Sequence, residues 1–191
     1  MTTATRPLTV DDLLRLGSDA RIEVVEGEIV DHPAAGGRHA WVCGNILRAL
    51  DQYVRLHKIG LVFGSGLLHL LAMDGQSVVS ARVPDASYIR KADLVPDWDL
   101  DRPYPGAPTL AVEVMSPGDE FEDVVQKVGE YFEAGTSEVW VILPQPQIVY
   151  RYLRGESTVQ TYRGDDSMDV SALFPDLTLA LSAIFALPDL D

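Results

Sequence analysis

An apolar run with one carboxylate in its middle places the strongest constraint on how this chain can fold. Within Leu110–Met115 every residue except Glu113 is apolar, which is typical of a buried strand. A carboxylate there is costly unless a cation or a functional role offsets its burial. A helical pattern over Phe121–Ala134 and a second apolar run, Glu138–Leu143, follow. This strand–helix–strand passage predicts a parallel strand pair, joined by a crossover helix, inside an otherwise antiparallel sheet.

The rest of the pattern predicts a mixed α/β fold. Residues 93–105 are rich in acids, aromatics and prolines and favour a surface loop, while the tail over residues 170–187 fits either a short helix or a strand. The other predicted elements are a short helix after Thr9, a hairpin turning at Glu26–Gly27, a loop over residues 33–37, a long helix from Arg38 to His57, and strands over residues 61–63, 67–71, 78–79, 83–89, 148–153 and 158–162.

Length and composition favour one packed domain. The chain has 191 residues, of which 47% are hydrophobic, so we expect a single domain over residues 1–191 with loose ends at 1–7 and 188–191. Cys43 is the single cysteine and, in a predicted helix among apolar neighbours, it fits an inert packed thiol. The sequence has no signal-like start and no apolar run of membrane-spanning length, so we expect a cytoplasmic protein without membrane contact.

The net charge argues against a protein that coats nucleic acid electrostatically. It is −14 at pH 7, whereas nonspecific affinity for nucleic acid comes from lysines and arginines that neutralise phosphates. The long helix nevertheless has a basic side, which either is a solvated face balanced by acids elsewhere or faces nucleic acid. Its members are Arg38, His39, Arg48, Arg55 and Lys58.

Three acids and one lysine stand out by their surroundings. Glu23 lies in the first hairpin, Asp85 follows a proline, Glu113 interrupts an apolar strand, and Lys127 lies on the next helix. These residue types suit metal-assisted phosphate hydrolysis, because carboxylates bind Mg²⁺ and a lysine can orient the attacking water. Each has a structural alternative: Asp85 could cap a turn, Glu23 could pair with an arginine, and Lys127 could pair with Asp123 on the helix surface.

Several motifs in a shared order resemble the Uma family of restriction-endonuclease-like proteins, in the PD-(D/E)xK nuclease superfamily. The resemblance covers residues 8–153, and the order of the motifs makes it more specific than any one of them. They are the segment Ile22–Val30, His39 at a helix start, Pro84-Asp85, the segment Leu110–Pro117, and the spaced residues Asp123, Lys127, Tyr131, Gly135, Glu138, Val139 and Trp140.

The resemblance implies a mixed sheet flanked by helices and a metal site. Asp85 and Glu113 would be ligands of Mg²⁺ or Mn²⁺, the carbonyl of Val114 would be a third ligand, and Glu23 would support the site or bind a second metal. The superfamily places a lysine two residues after the second acid, where this chain has Met115.

Within the Uma pattern a lysine on the following helix takes that place. Lys127 would therefore reach back over the strand end and position the attacking water. His39 also matches a family position, where either packing, capping or a phosphate contact would fit.

The expected function is a metal-dependent endodeoxyribonuclease. DNA is then the substrate, and cutting both strands of a duplex suggests a homodimer. Two alternatives stay open at this point: a nuclease fold that has lost catalysis and serves as a binding or assembly module, and a hydrolase of small phosphate esters. The negative charge and Met115 favour the first alternative, while the joint presence of the acids and Lys127 favours an enzyme.

Overall fold

The computed structural model describes residues 6–17, 22–31 and 35–188, so the predicted loose ends and part of the predicted loop, Pro33 and Ala34, lie largely outside the described residues. Four α-helices are described: α1 (Val10–Arg15), α2 (Gly37–His57), α3 (Phe121–Ala134) and α4 (Leu181–Phe185). The strands are β1 (Ile22–Val25), β2 (Glu28–Asp31), β3 (Gly60–Gly64), β4 (His69–Asp74), β5 (Ser77–Arg82), β6 (Ala86–Arg90), β7 (Leu110–Val114), β8 (Glu138–Leu143), β9 (Ile148–Leu153), β10 (Gln160–Arg163), β11 (Ser167–Asp169) and β12 (Thr178–Ala180).

The strands form two larger sheets and one small one. Six strands in the order β10-β9-β8-β7-β6-β3 make the central sheet, and four in the order β2-β1-β5-β4 make a second sheet. Only β7 and β8 pair in parallel among the described strands, and every other neighbouring pair is antiparallel. The prediction of one parallel pair inside an antiparallel set is therefore confirmed.

Helix α3 forms the crossover between the two parallel strands and ends where the sequence predicted. Gly135 follows it with a φ of 114°, and its N–H bonds back to the carbonyls of Tyr131 and Phe132. Glycine is favoured at this C-terminal position because a left-handed backbone carries no Cβ penalty. The crossover thereby returns the chain directly to β8.

Helices α2 and α3 cover opposite faces of the central sheet. Along β7, Leu110, Val112 and Val114 belong to the core beneath α2, whereas Ala111 belongs to the core beneath α3. Strand side chains alternate between faces, so Glu113 points to the α3 side. The alternation thus explains why a carboxylate in this strand meets groups of α3.

The segment Val83–Asp85 differs from its predicted strand because it connects the two sheets. Strand β5 ends at Arg82 in the four-stranded sheet, and β6 begins at Ala86 in the central sheet. Proline cannot donate to a ladder, which suits a break at Pro84. The predicted strand over residues 83–89 was therefore wrong in its first three residues, and Asp85 lies at the junction of the sheets.

Two other segments differ from or extend the predictions. The loop over residues 93–105 is not wholly on the surface, because Tyr104 is buried and its backbone bonds to Leu68 and Leu70. The tail, for which helix and strand were both open, contains both: β12 pairs with β11 and runs directly into α4. None of the helices in the described residues is long and apolar enough to span a bilayer.

A buried histidine joins the two sheets. His69 begins β4, and its ring contacts the Gly106 carbonyl through Nδ1 at 3.3 Å and the Ser87 hydroxyl through Nε2 at 3.1 Å. A carbonyl only accepts, so Nδ1 carries the proton and the neutral ring is satisfied at both nitrogens. Burial lowers the pKa of His69 to about 4, although the Gly106 carbonyl opposes the shift.

Replacing His69 by glutamine should remove one component of the acid sensitivity of folding. Because the folded pKa is depressed, its contribution to stability is fully present above the unfolded pKa near 6.5 and is lost as pH falls to about 4. The wild type should lose roughly 3 kcal/mol more than His69→Gln over that window. Urea unfolding at several pH values measures the difference. His57→Gln, at an exposed position, is the control, and equal slopes in all three proteins would contradict the assignment.

Candidate active site

Three of the four residues singled out in the sequence, Glu23, Glu113 and Lys127, meet on the α3 side of the central sheet. Lys127 Nζ lies 3.0 Å from Glu23 Oε2 and 3.7 Å from Glu113 Oε2. Asp85 lies beside them at the sheet junction, where its carboxylate accepts a hydrogen bond from the N–H of Val114, the residue after Glu113. β1, the sheet junction, β7 and α3 each contribute one of these groups.

Asp85 is buried and held through both carboxylate oxygens. Its Oδ1 lies 2.9 Å from His39 Nε2, and its Oδ2 accepts a 2.7 Å hydrogen bond from the Val114 N–H. The residue borders a cleft, as a strand-end acid should, but it does not point freely into it. The carboxylate instead connects the start of α2 to the end of β7.

The surroundings of Glu113 disfavour its ionised form. Burial raises its pKa to about 7, and the nearby charges of Asp85 and Glu23 act in the same direction. Lys127 opposes the rise, as does the 2.7 Å hydrogen bond from the Tyr131 hydroxyl to Oε1. Such a carboxylate is poorly compensated by the protein alone, which is typical of functional sites.

Glu23 has the opposite character because two cations contact it. Lys127 lies within 3.1 Å of both its oxygens, and Arg82 Nη1 donates to Oε2 at 2.8 Å. Burial alone would raise the pKa of Glu23, but the charges of Lys127 and Arg82 outweigh it, so the pKa is lowered. The structure therefore favours Glu23 as the partner that holds Lys127 in place.

Arg82 is the main group of the site that the sequence did not single out. It donates to Glu130 from Nε at 2.8 Å and from Nη2 at 2.6 Å, in addition to its bond to Glu23. Its guanidinium is buried where β5 ends, between β1 and α3. The available signal was an arginine at the end of an apolar strand, together with the alternative that Glu23 pairs with an arginine.

His39 is part of the site rather than a remote packed residue. Its Nε2 contacts Asp85, and its Nδ1 lies 3.2 Å from the Ser116 hydroxyl. The hydrogen bond to Asp85 raises the pKa of His39 against the effect of burial, and the Val114 carbonyl adds to the rise.

The predicted basic residues of α2 lie at increasing distances from these acids. Arg38 is adjacent to His39 in the sequence. At the rise of an α-helix, the other three basic residues lie farther from His39 along the axis: Arg48 by about 14 Å, Arg55 by about 24 Å and Lys58 by about 28 Å. Arg55 is paired with Asp51 at 2.7 Å on the exposed surface. The basic side therefore begins at the site and leads away from it.

The donor atoms suit a hard divalent cation. Asp85 and Glu113 supply carboxylate oxygens and Val114 supplies a carbonyl, which are the ligand types of Mg²⁺ and Mn²⁺. Burial and, to a lesser extent, the charge of Asp85 raise the pKa of Glu113, and a bound cation would offset both effects. The residues present therefore fit the predicted metal, provided that Asp85 gives up its contact with His39.

The fold is that of a restriction-endonuclease-like protein. The crystal structure of "a putative nuclease belonging to DUF820" from Anabaena variabilis has a TM-score of 0.76 to this chain, with 22% sequence identity over 94% of this chain and 98% of that one. At that identity the likeness concerns the fold.

The chain belongs to the Uma2 family, whose description is "Putative restriction endonuclease" and whose model matches residues 10–182. The family resemblance and the fold class predicted from the sequence are both confirmed. No curated protein matches the chain.

Replacing Arg82 by methionine should destabilise the fold strongly. The substitution leaves Glu23 with one cation and Glu130 without its bidentate partner, and breaking a buried ion pair costs about 3–5 kcal/mol. The free energy of unfolding in urea measures the loss. Arg154→Met is the matched control, since exposed Arg154 makes a single 3.4 Å bond to the Gly135 carbonyl and should change stability by under about 0.5 kcal/mol. Similar losses in both variants would argue against a structural charge network.

Proposed function

We propose that this protein is a metal-dependent endonuclease that hydrolyses phosphodiester bonds of DNA. The observation that carries the proposal is the convergence of Asp85, Glu113 and Glu23 with Lys127 at the ends of the strands. Membership of the Uma2 family, whose description is "Putative restriction endonuclease", supports it. The structural charge network of Arg82 accounts for Glu23 and Lys127, but it does not account for the weakly compensated Glu113 with its raised pKa.

Asp85, Glu113 and the Val114 carbonyl would hold Mg²⁺ or Mn²⁺. When bound, such a cation neutralises charge on the phosphate and acidifies water. Glu113 would bind as the carboxylate, because a cation stabilises the ionised form that burial disfavours. Asp85 is already oriented for this role by the Val114 N–H.

Lys127 would orient the attacking water. Its ammonium is held by Glu23 and lies 3.7 Å from Glu113, so a water molecule beside Glu113 is within its reach. Met115 occupies the position where the superfamily has its lysine. This geometry supports the proposal that Lys127 takes over the role of that lysine. Glu23 then acts through Lys127, because its oxygens are committed to Lys127 and Arg82 rather than open to a second metal.

The expected result with supercoiled plasmid and Mg²⁺ or Mn²⁺ is nicking by the wild type. Glu113→Gln should abolish nicking by removing a metal ligand, and Lys127→Met should reduce the rate on the order of 100-fold by misplacing the water. Asp123→Asn is the control, because Asp123 is exposed on the same helix. Nicking that survives in Glu113→Gln would assign the activity to another site or to a contaminant.

We further propose that DNA contacts the start of α2, and that any duplex runs away from the site along its basic side. Arg38 should then contribute more than Lys58, which lies about 28 Å from His39 along the helix. Fluorescence anisotropy with a labelled duplex and Ca²⁺ should show weaker binding by Arg38→Ala, with a salt slope smaller by about one unit. Lys58→Ala and the control Arg154→Ala should bind almost as the wild type does. Equal losses at Arg38 and Lys58 would place the duplex along the whole helix.

A small phosphate ester is the second candidate substrate, and the shape of the cleft favours it. The cleft beside Asp85 has a volume of about 1110 Å³ and is lined largely by apolar side chains. Of its described lining residues, Arg102 is the only arginine or lysine. Hydrolysis of a bis-phenyl phosphate ester without any nicking of plasmid or single-stranded DNA would favour this candidate.

We also propose that the nuclease acts as a homodimer, and cutting of both strands of a duplex would support this.

A further inference from the structure

A second set of metal-binding side chains lies on the α2 side of Asp85. His39 and Cys43 are four residues apart on α2, so both face the same way, toward Asp85. One ring nitrogen of His39, the Cys43 sulfur and a carboxylate oxygen of Asp85 all lie within 4.8 Å of one another. Three side chains with nitrogen, sulfur and oxygen donors are the number that a catalytic or exchangeable zinc site commonly uses.

The groups behind these ligands are arranged as metal sites require. His39 Nδ1 lies 3.2 Å from the Ser116 hydroxyl, which can fix the ring orientation and leave Nε2 for a metal. Asp85 Oδ2 is held by the Val114 N–H at 2.7 Å, which leaves Oδ1. Metal-binding histidines and carboxylates almost always have such outer partners.

The separation of two of the three ligand atoms is close to what a tetrahedral ion needs. His39 Nε2 and Asp85 Oδ1 are 2.9 Å apart and share a hydrogen bond. Metal bonds of the usual length at a tetrahedral angle would place such atoms about 3.4 Å apart. An opening of roughly 0.5 Å, with loss of the shared proton, would therefore admit the ion.

Access and chemistry both favour this use of Cys43. His39, Cys43 and Asp85 line the same cleft of about 1110 Å³, so an ion can reach all three side chains from that cleft. Sulfur and imidazole donors select Zn²⁺ or Co²⁺ over Mg²⁺.

We propose that His39, Cys43 and Asp85 form a binding site for a transition-metal ion of the Zn²⁺ class, separate from the hard-cation position at Glu113. The site goes beyond the proposed nuclease, because neither His39 nor Cys43 is needed to hold Mg²⁺ there. Asp85 is a ligand at both positions. A metal ion bound with His39 and Cys43 therefore changes how the Asp85 carboxylate can bind a cation at Glu113.

Titration of the full chain with Co²⁺ tests the proposal without measuring activity. The wild type should bind one Co²⁺ per chain and show the absorption of a sulfur–cobalt bond, since Cys43 is the single cysteine. Cys43→Ser should lose that absorption. His39→Gln should weaken Zn²⁺ binding at least about tenfold, measured by competition with a chromophoric chelator.

Glu113→Gln separates this proposal from the nuclease proposal. That variant lacks a ligand of the Mg²⁺ position but should keep the sulfur–cobalt absorption unchanged. Ser116→Ala should weaken Zn²⁺ binding about tenfold while every ligand is retained. If the wild type itself fails to nick plasmid DNA but shows the sulfur–cobalt absorption, only the nuclease proposal is rejected.

A bound sulfur can also be detected in the unmodified protein. X-ray absorption at the zinc edge of the wild type should show one sulfur among nitrogen and oxygen neighbours, which keeps the test valid if Cys43→Ser fails to fold. An oxygen- and nitrogen-only shell, an unchanged absorption in Cys43→Ser, or half an ion per chain would overturn the proposal. The last result would mean that thiols of two chains share a surface-bound ion.

Discussion

The structure around the site depends on how buried negative charge is compensated. Glu23, Asp85 and Glu113 are each less than a tenth exposed, and Arg82 and Lys127 are the cations that reach the first and last of them. Removing ions from water costs several kcal/mol each, so these groups persist only because they bond to one another. The compensation is uneven: Glu23 has two cations, whereas Glu113 shares one at 3.7 Å and has a raised pKa. That local deficit of positive charge is the physical reason to expect a cation at Asp85 and Glu113.

The same charge network explains how two sheets form one site. Arg82 ends β5 in the four-stranded sheet and bonds to Glu23 on its neighbour β1 and to Glu130 on α3. Lys127 on α3 connects Glu23 to Glu113 on β7 of the central sheet. Asp85 lies on the chain segment between the sheets. The ionic contacts of Arg82 and Lys127, together with the chain segment that contains Asp85, therefore position the acids of the site relative to one another.

Local sequence patterns predicted the elements better than the contacts between them. The crossover helix and the strand after it have the predicted bounds, because a glycine C-cap and β-branched apolar runs are local signals. Glu113 was conspicuous for the same reason, since its neighbours alone make its charge improbable. Lys127 could be placed near it only by the family resemblance.

Other features of the site could not be read from the sequence. Arg82 looks like an ordinary strand-end arginine until β1 and α3 are placed on either side of it. The grouping of Cys43 with His39 was visible as helical spacing, but its meaning depends on Asp85, which is 46 residues after His39 in the chain. The break after Arg82 was missed because Val83 extends an apolar pattern, whereas the position of Asp85 is fixed by its bonds to α2 and β7. In each case long-range contacts, rather than neighbours in sequence, determine the arrangement.

The position of Asp85 between the sheets also bears on when the site comes into existence. The central sheet alone contains Glu113 but lacks Glu23, and the four-stranded sheet alone contains Glu23 but lacks Glu113. The charge network that holds Lys127 between Glu23 and Glu113 therefore arises only when the sheets dock and α3 packs between their charged groups. During synthesis, a partly folded chain has scattered acids and no assembled centre, so any chemistry of the site is restricted to the finished fold.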